Sequence, residues 1–468
     1  MWPTPQTLEL LLLGLLPVAY CAWFALRFGW AELHSLRTVG VISLWVGYQL
    51  SPWLALGTGG EWPSFLLVPE YIDEGLLFST LCMVCYLAGY TFTEKRAKVP
   101  RWSRLAQPAL LPRVNYKLLL CLSLLSVVLF IILVGGPGEV WEGSRARGEG
   151  QFDARDLAGK FRQMANVLQF ALDFSLACVA AVFILRRGLS LPMRMLGYGC
   201  LVVSALPSVF SFSRGVGMPF VVLGFLALRL RKRSGLKLAA ACFGIAVYLG
   251  WVSMNARYSA VGLGYYLNSA VSFDPTAQGW GGYANSIPGA NMLDAMAAWT
   301  RKTSLISVEG GGTVEMAANF LWNLSPVPSE LLPLRPVGRD LAEVMGTWGS
   351  SGITTPALAD TYYAFGSWGC LGFVLLGALF AYFEKVASVR GGIVAHVCVL
   401  FCLAGLLTGL HASARGLTRP VLYACIIYFI SRQYASKLAG TSKARPVTSL
   451  RRFPTRTTAQ GFTRAGHR

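Results

Sequence analysis

The feature that most constrains this chain is the recurrence of long stretches without a charge. Leu10 to Leu26, Val41 to Gly57, Leu118 to Val134 and Leu238 to Met254 are uncharged, and Val167 to Leu185 is interrupted only by Asp173. Each stretch is close to the roughly 20 residues with which a helix crosses ~30 Å of hydrocarbon. With 54% hydrophobic and 13% charged residues over 468 positions, the chain carries too few charges for an ordinary soluble globule. The expectation is an all-α, polytopic integral membrane bundle.

Hydropathy predicts about eleven transmembrane helices, over 7–26, 38–57, 75–93, 117–134, 164–185, 194–212, 217–230, 238–256, 364–383, 393–410 and 420–435. The first stretch has no Lys or Arg before it and Arg27 after it. That order is wrong for a cleaved signal peptide and favours an N-terminus outside. With the C-terminus inside, 28 of the 41 cations fall on the cytoplasmic side, among them Arg37, Arg229 and nine in the tail, while Glu61, Glu70, Asp73 and Glu74 fall outside. Orientation and attraction to anionic lipids thus account for much of the net charge of +19, and nucleic acid is not an expected partner. The bundle is expected over 1–435, with a basic, disordered cytoplasmic tail over 436–468.

Two outer segments, 135–163 and 257–363, are too long to be turns, and a functional site is expected there. The larger one has helix-compatible stretches at Asn291–Trp299 and Val314–Leu324, which read as a cap of short helices on the bundle. All eleven cysteines fall in or at the ends of spans, so no disulfide framework is implied. Cys82-Met-Val-Cys85 has the spacing of a redox or metal pair, but it has no His or carboxylate company and reads as small apolar packing. With no Walker loop, no His-rich metal set and no nucleophile elbow, no cofactor and no metal are expected.

Cations on the outer side run against the charge rule and need another reason to be there. One group is His411-Ala-Ser-Ala-Arg415-Gly-Leu-Thr-Arg419-Pro420. If it is helical throughout, His411, Arg415 and Arg419 share a face; if Pro420 opens the last helix, only His411 and Arg415 do. Two arginines reaching lipid headgroups is the plain alternative to a polyanion clamp. Others are Arg214 in Ser213-Arg214-Gly215, Arg257-Tyr258, Arg145 with Arg147, and Arg335 with Arg339. Arginine forks bind phosphate oxygens bidentately, so arginines converging beside a membrane suit a pyrophosphate-bearing lipid. Asp294, Glu309, Glu315, Asp340 and Asp360 are outer carboxylates and candidate bases, with helix capping or arginine pairing the plain alternative. Asp173 lies mid-span, where it is functional, is paired with a neighbouring helix, or marks a misplaced span boundary.

In arrangement the chain resembles the Wzy-type oligosaccharide repeat-unit polymerases, the bacterial O-antigen and capsule polymerases. The resemblance rests on Ser213-Arg214-Gly215, Arg257-Tyr258, the Pro-rich approach Ser325 to Pro336, the run Thr355 to Gly369 with Tyr362, Tyr363, Phe365-Gly366 and Gly369, and Ala414-Arg415-Gly416. It covers about residues 205 to 435.

The resemblance implies a glycosyltransferase of the bacterial inner membrane, active on the periplasmic or exterior face. Such an enzyme joins undecaprenyl-pyrophosphate-linked oligosaccharides into lipopolysaccharide O-antigen, capsule or exopolysaccharide. Donor and acceptor lipids are the implied partners, with a chain-length regulator and a flippase beside them. It points to Arg415 and Arg214 on the pyrophosphate, His411 as base or hydrogen-bond donor, and Arg257 and Arg335 orienting the glycan, with Tyr362 and Tyr363 against sugar rings. An O-antigen ligase-like transferase and a lipid-linked-oligosaccharide flippase are the alternatives.

Overall fold

In the computed structural model, the described residues are 5–50, 69–97, 115–134, 157–186, 188–210, 214–231, 235–256, 317–318, 320–322, 324–325, 357–390, 393–410 and 414–441. Among them there are helices and turns and no strand. The helices are α1 (Pro5–Phe28), α2 (Leu36–Trp45), α3 (Pro69–Ala97), α4 (Tyr116–Val134), α5 (Leu157–Leu185), α6 (Leu191–Val203) and α7 (Leu206–Phe210). They continue as α8 (Met218–Arg231), α9 (Leu236–Ala256), α10 (Ala357–Phe365), α11 (Gly372–Arg390), α12 (Ile393–Ala404) and α13 (Ala414–Thr441). Residues Met1–Tyr428 form one compact unit and Phe429–Arg468 a second, whose described part is the end of α13.

Among the described residues, five helical segments are long and apolar enough to cross a membrane: Leu8–Phe28, Asp73–Lys95, Tyr116–Leu133, Leu168–Leu185 and Ala357–Ala387. Three shorter apolar helices are Met218–Arg229, Leu236–Gly250 and Val394–Leu407. The chain is therefore a helical membrane protein. The other three expected stretches are helical over most of their described residues and are not among these eight segments. α2 is described only as far as Leu50, α6 and α7 are separated by a turn at Ser204–Ala205, and α13 carries Arg415 and Arg419 in its first two turns. α13 also runs past residue 436, where the tail was expected to begin, because Ala435, Lys437, Leu438 and Ala439 are good helix formers.

Side-chain pairings give the relative directions of the helices. Tyr362 meets Glu74 and Phe78, Gly89 lies on Val374 and Gly377 on Tyr86, so α3 runs parallel to α10 and α11. A methyl group on Gly89 would run into the Val374 carbonyl oxygen, and one on Gly377 into that of Tyr86. Two glycines thus bring these backbones into direct contact, the small-residue packing on which helix association in lipid depends. Gly217 lies on Ala246 and Gly224 on Cys242, making α8 and α9 an antiparallel pair; Cys398 with Ala424, and Gly405 with Leu417, do the same for α12 and α13.

Asp173 is paired with its neighbours. The hydroxyl of Ser126 on α4 and the Gln169 amide 2.6 Å away both donate to Asp173 Oδ1, joining α4 to α5. All eleven cysteines are free thiols, and Cys82 is fully buried in the core.

Candidate functional site

Two polar clusters sit at opposite ends of the same helices. One is built on Glu384, which has no exposure at all and accepts from three elements: the Leu36 N–H at 3.0 Å, Arg229 Nη2 at 3.0 Å, and the Tyr90 hydroxyl. Leu36 is the first residue of α2, whose amide has no partner within its own helix; Glu384 supplies one. The Tyr86 hydroxyl takes the Leu36 carbonyl at 2.6 Å. The next residue, Arg37, is 1% exposed, pairs with Glu94 and lies over the rings of Phe24 at 3.9 Å and Tyr90 at 4.9 Å. Arg37 and Arg229, which the charge pattern assigns to the headgroup region, are instead buried against the partly exposed Glu94 and the fully buried Glu384.

At the other end lie the starts of α3, α8, α10 and α13 and the ends of α2 and α12. Here Asp360, 5% exposed on α10, accepts from the N–H of Ala414, the first residue of α13, at 2.8 Å. Arg415 follows at once, and both it and Arg419 are half-buried, one helical turn apart on one face. The Tyr48 hydroxyl donates to the Leu410 carbonyl at 2.8 Å, tying the end of α2 to the end of α12. Both helices end in a π-turn, Val46–Leu50 and Gly405–Gly409. Such turns are rare and concentrate at functional sites.

α10 is itself held on a fixed frame. The Tyr362 hydroxyl donates to Glu74, and its ring meets Phe78 edge-on at 4.9 Å. Gly366 takes φ +57°, a left-handed conformation that ends α10 and opens a tight turn over Gly366–Leu371. A Cβ on Gly369 would stand 2.8 Å from the Thr361 carbonyl oxygen. The Phe-Gly and Gly of the sequence pattern are therefore a helix stop and a close-packing position. Helical residues at 317–318 and 320–322 rest on the same end: Phe320 packs edge-on against Phe365 at 5.2 Å, and Thr418 Oγ1 donates to the Leu324 carbonyl at 3.4 Å.

Set against the residues singled out from sequence, the arrangement makes two corrections. Pro420 does not open the last helix: α13 begins six residues earlier, so Arg415 and Arg419 keep their shared face. Tyr362 and Tyr363 are 1% and 2% exposed, so they frame the site and present no ring to a sugar. Arg214 opens a one-turn helix, Arg214–Gly217, leading into α8 at the same end of the bundle, with its side chain outside the described residues. α9 ends at this end with Ala256; Arg257, Tyr258, His411, Arg335, Arg339, Arg145 and Arg147 lie outside the described residues. Tyr48 and the pairing role of Glu74 are additions from the structure. Their sequence signals were a Tyr-Gln pair interrupting an apolar stretch and a carboxylate one turn before Phe78.

The chain matches no known protein family, no curated protein and no solved structure.

Proposed function

We propose that the chain is a membrane-embedded glycosyltransferase that polymerises undecaprenyl-pyrophosphate-linked oligosaccharide repeat units on the non-cytoplasmic face of a bacterial inner membrane. In this reading eleven helices cross the membrane, with the N-terminus outside and the C-terminus inside, and the Asp360 end faces the periplasm or exterior. The observation that carries it is the fastening of the Arg415 helix to α10 by Asp360, at the end where Arg214 enters α8 and where α9 leads into Arg257.

The proposed chemistry uses these cations. The acceptor hydroxyl oxygen attacks the anomeric carbon of the donor glycan, the bond from that carbon to the pyrophosphate oxygen breaks, and its electron pair leaves on the lipid pyrophosphate. Arg415 and Arg214 take the charge that develops there, with Arg419 a turn behind. Arg257 and Arg335 orient the glycan, assisted by Tyr258, Arg339, Arg145 and Arg147, and His411 receives the hydroxyl proton. Preorganised donors at a developing anion are worth roughly 3 to 4 kcal/mol each.

The test is purified protein in nanodiscs supplied with a lipid-linked repeat unit. A ladder of products is expected. Transfer only onto a lipid A core would replace the polymerase with a ligase, and lipid movement without bond formation would replace it with a flippase. Arg415→Ala is expected to lower turnover by on the order of 10²- to 10³-fold while leaving the thermal midpoint unchanged.

A further inference from the structure

The two ends of the bundle share one device. At each, a buried carboxylate from another helix accepts from the amide of the first residue of a helix, and the second residue of that helix is an arginine: Glu384 holds Leu36 before Arg37, and Asp360 holds Ala414 before Arg415. At the Glu384 end the outcome is visible, for Arg37 is set against Glu94 and between two aromatic rings.

We propose that Asp360 is the positioning residue for Arg415. By fixing the first turn of α13 it sets where that guanidinium meets the pyrophosphate of the lipid-linked donor. This rests on the glycosyltransferase reading above. Asp360 suits the role because its own helix is anchored on both sides, through Tyr362 to Glu74 and Phe78, and through the left-handed Gly366 to the turn that follows. Tyr48 fixes the Leu410 carbonyl at the end of the preceding helix, so each of the two helices has its terminus tied by a buried side chain. A carboxylate at a helix N-terminus is also favoured by the helix dipole, which keeps the contact closed.

Position, more than charge, is the property at issue, and conservative variants separate the two. In full-length protein in nanodiscs with a lipid-linked repeat unit, Asp360→Ala should lower kcat on the order of 10- to 100-fold, with the KM for donor changing much less. Asp360→Asn keeps an acceptor oxygen in place and should retain most of the rate. Asp360→Glu keeps the charge but displaces the oxygens by a methylene, and should be slow. In an Arg415→Ala background, Asp360→Ala should cost nothing further, the signature of a residue acting through its neighbour.

Hydrogen exchange of the peptide containing Ala414 supplies a readout independent of activity: it should speed up in Asp360→Ala and stay near wild type in Asp360→Asn. An impaired Arg415→Ala beside an Asp360→Ala of wild-type rate, additive losses in the double variant, a fully active Asp360→Glu, or unchanged exchange at Ala414 would each overturn the positioning role alone. Arg415→Ala at the wild-type rate would overturn that role together with the place of Arg415 in the proposed reaction.

Discussion

The Glu384 end and the Asp360 end differ in what surrounds the arginine that each capped helix presents. Arg37 is enclosed: Glu94 takes one nitrogen, Phe24 and Tyr90 cover the guanidinium, and 1% of the residue is exposed. Arg415 and Arg419 remain half-buried. The same local device therefore accompanies an enclosed arginine at one end and half-buried ones at the other. Three donors from three helices converging on one carboxylate make a joint, and burying charges at that cost is tolerable only when they are matched. The partly open end is the one at which the proposed reaction places the lipid pyrophosphate, whose oxygens arginine forks bind bidentately.

The sharpest way to break this comparison is at the joint. Asp and Glu at buried ion pairs are costly to remove one-sidedly, because the partner's charge stays behind; Glu384→Ala leaves Arg229, the Tyr90 hydroxyl and the Leu36 amide without their acceptor. A loss of about 3 to 5 kcal/mol is expected, read as a large fall in thermal midpoint or as protease sensitivity of the detergent-solubilised protein. Arg415→Ala, by contrast, should move the midpoint little. If Glu384→Ala unfolds no earlier than wild type, the joint is not one, and the two ends do not differ in kind.

Much of this contrast was legible in the chain, and much was not. Uncharged stretches announce their helices because hydrocarbon leaves the backbone no other way to satisfy itself, which is why α1, α4 and α5 lie where hydropathy puts them. Arg415 and Arg419 stood out because the charge rule disfavours outer cations. Arg37 and Arg229 were hidden by the same rule: on the inner side a cation needs no explanation, so nothing in their positions foretold Glu94 and Glu384 as partners. Those partners are 57 and 155 residues away in sequence. Tyr362 and Tyr363 misled because an aromatic pair beside a loop reads as a sugar platform, whereas burial depends on what α3 brings against them. Capping of Ala414 by Asp360 had no local trace, since the carboxylate lies 54 residues before the amide it holds.

A smaller effect sharpens the comparison from the middle of the bundle. Ser126, Gln169 and Asp173 belong to neither end; they form one polar contact between α4 and α5. Hydrogen bonds between membrane helices average about 0.6 kcal/mol and reach about 1.7. Ser126→Ala should therefore cost stability of that order and leave product formation intact, and Asp173→Asn, which keeps an acceptor oxygen, should cost less. Loss of product in a well-folded Asp173→Asn variant would make this carboxylate part of the reaction and add a third functional region to the two ends.

The smallest effect expected is a pH dependence confined to the Glu384 end. His34 lies in the turn Trp30–His34, outside the spans, where burial and then the charge of Arg229 hold its pKa below the ordinary 6.5. The unfolded chain then binds more protons than the folded one, so this residue makes stability rise with pH. Its contribution is complete above the unfolded value and is lost as pH falls through about 6.5 toward the lower folded value. Thermal midpoints measured from pH 7.5 down to 5.5 should fall slightly more in wild type than in His34→Gln, with no difference in slope above pH 7.5. A slope of opposite sign would mean that protonated His34 is favoured in the folded protein, and that the matched charges around Glu384 still have room for another cation.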